Sequence, residues 1–177
     1  DSPEVSDVRK YLQEFLIDGR VIDIPYWRRW PLINFIIAPF RAPQSAKAYK
    51  ELWHIGHGHS PLKAYGEKNA VQLQEALGSD YQVELAMRYQ SPSMKKVFEK
   101  FHGKAISELI VIPLYPQYAS ASTGSTIEEV FRLIKSWEIV PSIKIISQFF
   151  DHPLFIKCFV ELGKKYMKEA NYDHYLF

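Results

Sequence analysis

The chain carries one cysteine in 177 residues, Cys158. A single thiol excludes an internal disulfide and any metal site built from this chain's cysteines alone. It sits in the apolar run Phe155-Ile156-Lys157-Cys158-Phe159-Val160, where a buried, unreactive thiol is expected. Long apolar runs are missing too. None reaches the ~18 residues that a membrane-spanning helix needs, and no signal peptide opens the sequence. Neither sign of charge dominates: Lys+Arg number 22 against 20 Asp+Glu, for a net charge of +2. So even a balance leaves no electrostatic footprint for nucleic acid. There is no Walker A loop, no G-x-G-x-x-G and no H-E-x-x-H, which argues against the common nucleotide-binding and zinc-protease readings. A reducing cytoplasm fits these absences.

Aromatic residues, by contrast, are plentiful at 15%, with 11 Tyr, 11 Phe and 4 Trp. That much ring surface suggests a pocket or interface in addition to a core. Hydrophobic residues at 47% and charged residues at 24% exclude a disordered chain, and the length suits one domain, residues 1–177.

Asp1-Ser2-Pro3-Glu4 reads as a helix opening, with a polar N-cap, proline at the first helical position and an acid in the first turn. Val5, Val8, Leu12, Phe15 and Leu16 follow at helical spacing. The chain thus enters on a helix with no strand before it and without an initiator Met, so upstream sequence is expected. The segment 27–40, from Trp27 to Phe40, is apolar nearly all round. It suits either a buried helix or a hydrophobic lip beside a pocket or on a membrane surface, where Trp and Arg favour the interface. Helices are expected over 42–53 and 61–77, separated by a Gly/His loop. Strand and helix then alternate: strands over 82–88, 108–115 and 142–148, helices over 94–101, 127–137 and 154–168, and a strand beginning at 174. Such alternation every ~30 residues predicts an α/β fold, a Rossmann-like parallel sheet flanked by helices. Loops after the strands then gather along one edge, where ligands bind in such sheets.

Those loops hold the informative residues. Met87-Arg88-Tyr89-Gln90-Ser91-Pro92 follows the first strand. Pro113-Leu-Tyr-Pro-Gln-Tyr118 follows the second, leading into Ser120-Ala-Ser-Thr-Gly-Ser125, which either simply opens a helix or offers its free N–H groups to an anion. His54, His57 and His59 invite a metal reading, since imidazole suits several transition metals, but their spacing matches no standard zinc pattern. His102 and His152 read as surface or capping residues. Arg41, Tyr49 and Ser60 together would suit a flat apolar ligand with peripheral carboxylates, with Arg for the carboxylate and Tyr and Ser as hydrogen bonders.

At this point the sequence resembles the ferrochelatases, which insert Fe²⁺ into a porphyrin late in haem synthesis. The resemblance rests on Tyr11-Leu-Gln-Glu-Phe-Leu-Ile-Asp18 with Arg20-Val21, on Trp30-Pro31 through Arg41-Ala-Pro43, and on Tyr49-x-x-x-Trp53. It continues through Ser60-Pro61-Leu62, Met87-Arg88-Tyr89, Pro113-Leu-Tyr-Pro-Gln-Tyr118 and Ser122-Thr-Gly-Ser125, in order over essentially the whole chain. It implies two Rossmann-like halves around a porphyrin cleft, of which this chain supplies most of the N-terminal one. The family's Asn-Leu-Gly-Thr-Pro strand would fall just before Asp1. Its Ser-(Phe/Tyr)-His-Gly motif, with the metal-binding or proton-accepting His, would begin just after Phe177, and its metal-site Glu further on. No catalytic or metal-ligating residue is therefore expected within the chain, and the fragment alone is expected to be inactive.

By the same resemblance, Arg41, Tyr49 and Ser60 line the porphyrin site, Arg88 and Tyr89 lie near its inner face, and the lip at 27–40 gives peripheral membrane contact. The stretch 54–59 departs from the family's Gly-Gly-Ser by a couple of extra residues before Ser60. Some relatives anchor an iron–sulfur cluster on a cysteine in the loop 118–124; here that loop has Ala and Ser, so no cluster and no resident cofactor is expected. The expected partners are Fe²⁺ and a porphyrin (protoporphyrin IX or coproporphyrin III) as substrates, and no nucleic acid. A non-catalytic porphyrin carrier is the alternative, and a membrane-surface interaction domain built on the lip is a weaker third.

Overall fold

Two stripes of residues spaced four apart organise the first third of the chain. In the computed structural model, which describes residues 2–55, 60–168 and 173–174, helix α1 (Val5–Ile17) buries Val8, Leu12 and Leu16. Helix α3 (Ala38–Ile55) meets it with Ala38, Ala42 and Ala46. Positions i, i+4 and i+8 lie on one helix face, and a stripe of single methyl groups lets the two backbones approach closely. Between these helices come α2 (Tyr26–Pro31) and a π-helical turn, Leu32–Ile37, continuous with α3. Pro31 cannot donate a backbone hydrogen bond, and a widened turn is one way a helix accommodates such a break. Ile33 in that turn is completely buried against α1 and α3. Gln13 on α1 donates to Asn34 Oδ1 at 2.9 Å, tying the turn to α1 by its polar side as well.

A second core lies further along the chain. Helix α4 (Pro61–Leu77) leads into an extended stretch and then α5 (Met94–Phe101). Strand β1 (Glu108–Val111) is followed by a π-helical turn, Ser120–Gly124, running into α6 (Ser125–Ile134), and then by β2 (Ser142–Ile145) and α7 (Pro153–Met167). β1 and β2 pair in parallel, Glu108 opposite Ser142 through Val111 opposite Ile145. A parallel pair needs a crossover, which α6 supplies. Met94, Val97, Phe98 and Phe101 of α5 pack with Leu109 of β1 and Val130 and Ile134 of α6. The fold is α/β, parallel strands flanked by helices, as the alternating pattern predicts.

Several local expectations need correction. α1 starts at Val5 with Glu4 as its N-cap, because Ser2 folds inward instead, accepting from Glu4 N at 3.3 Å and donating to Asp7 Oδ2 at 2.6 Å. The stretch 82–88 is extended but forms no strand ladder among the described residues. Val83 N–H donates to the Gln74 side chain at 2.8 Å, and Met87 bridges to Ser93 around a tight loop. The strands over 108–115 and 142–148 are half as long as expected, since Pro113 and Pro116 cannot donate to a ladder. Residue 174 is in no strand.

Cys158 is exposed, not buried. No residue of α7 is buried, and the helix packs chiefly through Phe155, whose ring meets Phe149 at 5.4 Å. The segment 27–40 is neither wholly buried nor wholly exposed. Ile33 and Ala38 anchor one face, while Trp27 (68% exposed), Phe35 (66%) and Phe40 (79%) stand out as an apolar lip. No described helix is long and apolar enough to cross a membrane.

Candidate functional site

The junction between the two cores is polar and centres on Asp18. α1 ends at Ile17, and Asp18 turns the chain by accepting the Arg20 backbone N–H on Oδ1 at 2.8 Å. Asx turns of this kind suit a short acidic side chain at a helix exit. Arg29 on α2 then clamps the loop, donating from Nη1 to the carbonyls of Ile22 (2.7 Å) and Ile24 (2.9 Å). Gly19 makes room for that clamp, since a Cβ there would lie 3.1 Å from Arg29 Nη1.

The other oxygen of Asp18 gathers three donors from distant parts of the sequence. Arg88 Nη2 reaches Oδ2 at 2.7 Å, the Tyr89 hydroxyl at 2.9 Å and the Ser125 hydroxyl at 2.5 Å. Arg88 Nε also donates to Ser125 Oγ at 2.7 Å, and its guanidinium lies 4.7 Å from the centre of the Tyr89 ring. Arg88 and Tyr89 open the loop that Met87 and Ser93 close. Gln90 within it is left-handed (φ 62°) and is held by Glu14 Oε2 at 2.9 Å and the Asp7 carbonyl at 3.2 Å. Ser125 is the first residue of α6 and is almost fully buried. Arg20 adds an ion pair to Glu128 across the same junction.

Burial works against the charge on Asp18, but the donors Ser125, Arg20 N–H and Tyr89 and the positive Arg88 outweigh it, and its carboxyl is held below the usual range. Tyr89 is pushed up to about 12, chiefly by burial, with Asp18 adding to the rise and Ser125 opposing it. Tyr11 is likewise raised to about 12 by burial and by its neighbours Tyr49 and Tyr115. Both phenols therefore remain protonated at neutral pH and act as donors, not bases.

An aromatic chain links this cluster to α3. The Tyr89 ring meets Phe15 at 5.4 Å and Tyr11 at 6.4 Å, both edge to face, and Tyr11 meets Tyr49 at 6.3 Å. Tyr49 in turn meets Trp53 at 6.4 Å. Of the five residues expected to line one site, Tyr49, Arg88 and Tyr89 are thus joined in one array through Tyr11. Arg41 stands apart, exposed on α3 with no hydrogen bond or ion pair among the described residues. Ser60 is the N-cap residue of α4, and its side chain makes no capping bond.

Sequence reasoning missed Asp18, Ser125, Tyr11 and Phe15 as site residues. Asp18 and Ser125 meet across a separation of 107 positions, which no local pattern reveals. The run 120–125 is more than a helix opening: the helical path already starts at Ser120, and Ser125 faces Asp18. His152 does cap α7, accepting from Leu154 N at 3.3 Å on Nδ1, and His102 lies at the end of α5 with its ring 5.6 Å from that of Trp137. The metal reading of His54, His57 and His59 falls outside the described residues, apart from the backbone of His54.

What these observations define is an α/β protein whose two cores meet at an aromatic cluster that carries the Arg88–Asp18 ion pair. Its family is set by comparison with known proteins. The chain belongs to the ferrochelatase family, whose model matches residues 1–177. It is 38% identical over 176 residues to a ferrochelatase of Bdellovibrio bacteriovorus, covering 99% of this chain and 52% of that protein. It is 40% identical over 169 residues to one from Legionella pneumophila (96% and 50% covered) and 38% over 177 residues to one from Coxiella burnetii (100% and 48%). The chain therefore spans about half the length of these relatives.

Proposed function

We propose that the chain forms the N-terminal half of the porphyrin cleft of an enzyme that inserts Fe²⁺ into a porphyrin for haem synthesis. The observation that carries this reading is the family match over all 177 residues. The convergence of Tyr49 and Tyr89 on Tyr11 supports it, because edge-to-face rings backed by a guanidinium suit a flat apolar macrocycle.

Insertion places Fe²⁺ on four pyrrole nitrogens and releases two N–H protons. A site that bends the macrocycle exposes those nitrogens, and a basic group takes the protons. The raised Tyr11 and Tyr89 are unsuited to that task. Their part is to hold and orient, and the base comes from beyond this chain, as do the groups that deliver Fe²⁺. Arg41 on its exposed helix face serves a peripheral carboxylate, with Tyr49 and Ser60 beside the macrocycle and Arg88 and Tyr89 at its inner side. The lip of Trp27, Phe35 and Phe40 rests against a membrane surface. The loop 118–124, without cysteine, anchors no iron–sulfur cluster.

The test is metal insertion by the full-length protein under anaerobic, reducing conditions, followed by porphyrin absorbance with Fe²⁺ and with Zn²⁺. Turnover supports the reading. Saturable porphyrin binding without turnover would favour a carrier, and neither binding nor turnover would refute both.

A further inference from the structure

Resting on that reading, we propose that Asp18 is a positioning residue: it fixes the plane of the Arg88 guanidinium at the inner side of the porphyrin site. Oδ2 of Asp18 accepts from Arg88, Tyr89 and Ser125, and Oδ1 accepts the Arg20 N–H. A carboxylate so fully engaged has little capacity left for a proton or a metal ion, so its chemistry is that of a holder.

What it holds is a planar fork. Nη2 of Arg88 is directed to Asp18 and Nε to Ser125, and two directions from a rigid plane fix that plane. Nη1 is left without a partner among the described residues, so the one edge of Arg88 free for a ligand is set by Asp18 and Ser125. Asp18 belongs to the end of α1 and hence to the first core, whereas Arg88 and Ser125 sit on the second. The two cores share no buried residue. The cluster therefore also sets how the face bearing Tyr49 stands relative to Arg88, with Tyr11 and Phe15 packed against Tyr89 from the α1 side. Asparagine in place of Asp18 would keep the shape but turn an amide N–H toward donors. It would also leave the Arg88 charge, only 21% exposed, uncompensated.

The experiment is a double-mutant cycle in the full-length protein: wild type, Asp18→Asn, Arg88→Ala and the double variant. Each is assayed for steady-state porphyrin metallation and for binding of a dicarboxylate porphyrin by fluorescence titration. If Asp18 acts through Arg88, Asp18→Asn lowers kcat/KM roughly ten- to a hundredfold in the wild-type background. Once Arg88 is alanine, the same change costs less than about twofold. The binding constants show the same masking. Losses that multiply around the cycle overturn the proposal, as does an Asp18→Asn protein within twofold of wild type. A fall in melting temperature with neither cycle affected would make Asp18 a structural pin only, which also overturns it.

Should Asp18→Asn not fold, Ser125→Ala removes one side of the fork's seat while keeping the carboxylate, and its loss must likewise be masked by Arg88→Ala. Failure of the parent reading looks different. A wild type that binds but does not turn over leaves the binding cycle to decide on Asp18, and one that does neither refutes the porphyrin reading and this proposal with it.

Discussion

Replacing Arg41 by alanine separates binding from folding more cleanly than any other change at the site. Arg41 is exposed on α3 and makes no hydrogen bond or ion pair among the described residues. Its removal should therefore leave stability within about 0.5 kcal/mol of wild type. If its guanidinium receives a porphyrin carboxylate, the variant loses a charge-assisted hydrogen bond, about 1.5–3 kcal/mol. At about 1.4 kcal/mol per decade, the Kd for a dicarboxylate porphyrin rises roughly ten- to a hundredfold. The assay is fluorescence titration of the full-length protein at two ionic strengths, with a thermal melt alongside. The wild-type affinity should weaken with salt more than that of the variant, since one ion pair has gone. Arg41→Lys should fall between the two, keeping the charge but losing the fork. A Kd within twofold of wild type, with an unchanged melt, would refute the assignment of Arg41 to the carboxylate.

Asp18, with its carboxyl held below the ordinary 3.8, contributes stability that is fully present above that value and is lost as pH falls through the lower folded-state value. Denaturant titrations at pH 7, 5 and 3 should show Asp18→Asn less stable than wild type at the first two and the gap closing at the third; a constant gap would mean the charge is not what matters. Thr123 is fully buried with an Oγ1 that has no hydrogen-bond partner among the described residues. Thr123→Val keeps the shape and the β-branch, and should stabilise by about 1 kcal/mol, a rise of roughly 2–4 °C in Tm. A loss of more than about 1 kcal/mol would show that the hydroxyl is used. Trp27→Ser with Trp30→Ser should abolish co-sedimentation with liposomes if the lip is the contact, and sedimentation that survives the pair would count against it.

The helices were the legible part of the sequence, because their signals are local. The expected spans 61–77 and 94–101 coincide with α4 and α5, and the Val8, Leu12, Leu16 spacing marks the buried face of α1. Strands were less legible. A strand is defined by its partner, and the extended run 82–88 has side-chain and turn partners where a ladder was expected. Cys158 shows the converse limit. Its apolar neighbours are real, but burial depends on what packs over α7, which those neighbours do not encode. At the candidate site, Arg88 and Tyr89 were singled out through the family resemblance. What holds them was not legible, since Asp18 lies 70 positions from Arg88 and 107 from Ser125.

That long-range cluster also accounts for why the junction is polar at all. Burying apolar side chains between the two cores would stabilise at least as much as an ion pair that must be desolvated. An apolar junction, however, tolerates small slips, because burial is non-directional. Three donors converging on one carboxylate oxygen do not: a slip of about 1 Å breaks hydrogen bonds of 2.5, 2.7 and 2.9 Å together. Under the proposed porphyrin reading, a flat rigid ligand that touches Tyr49 on one core and Arg88 on the other requires that kind of registration. The aromatic chain from Trp53 through Tyr49 and Tyr11 to Tyr89 then supplies the apolar contact on either side of the pin. Weakening the pin should therefore reach the ligand through misalignment of the two faces before it reaches the fold through loss of either core.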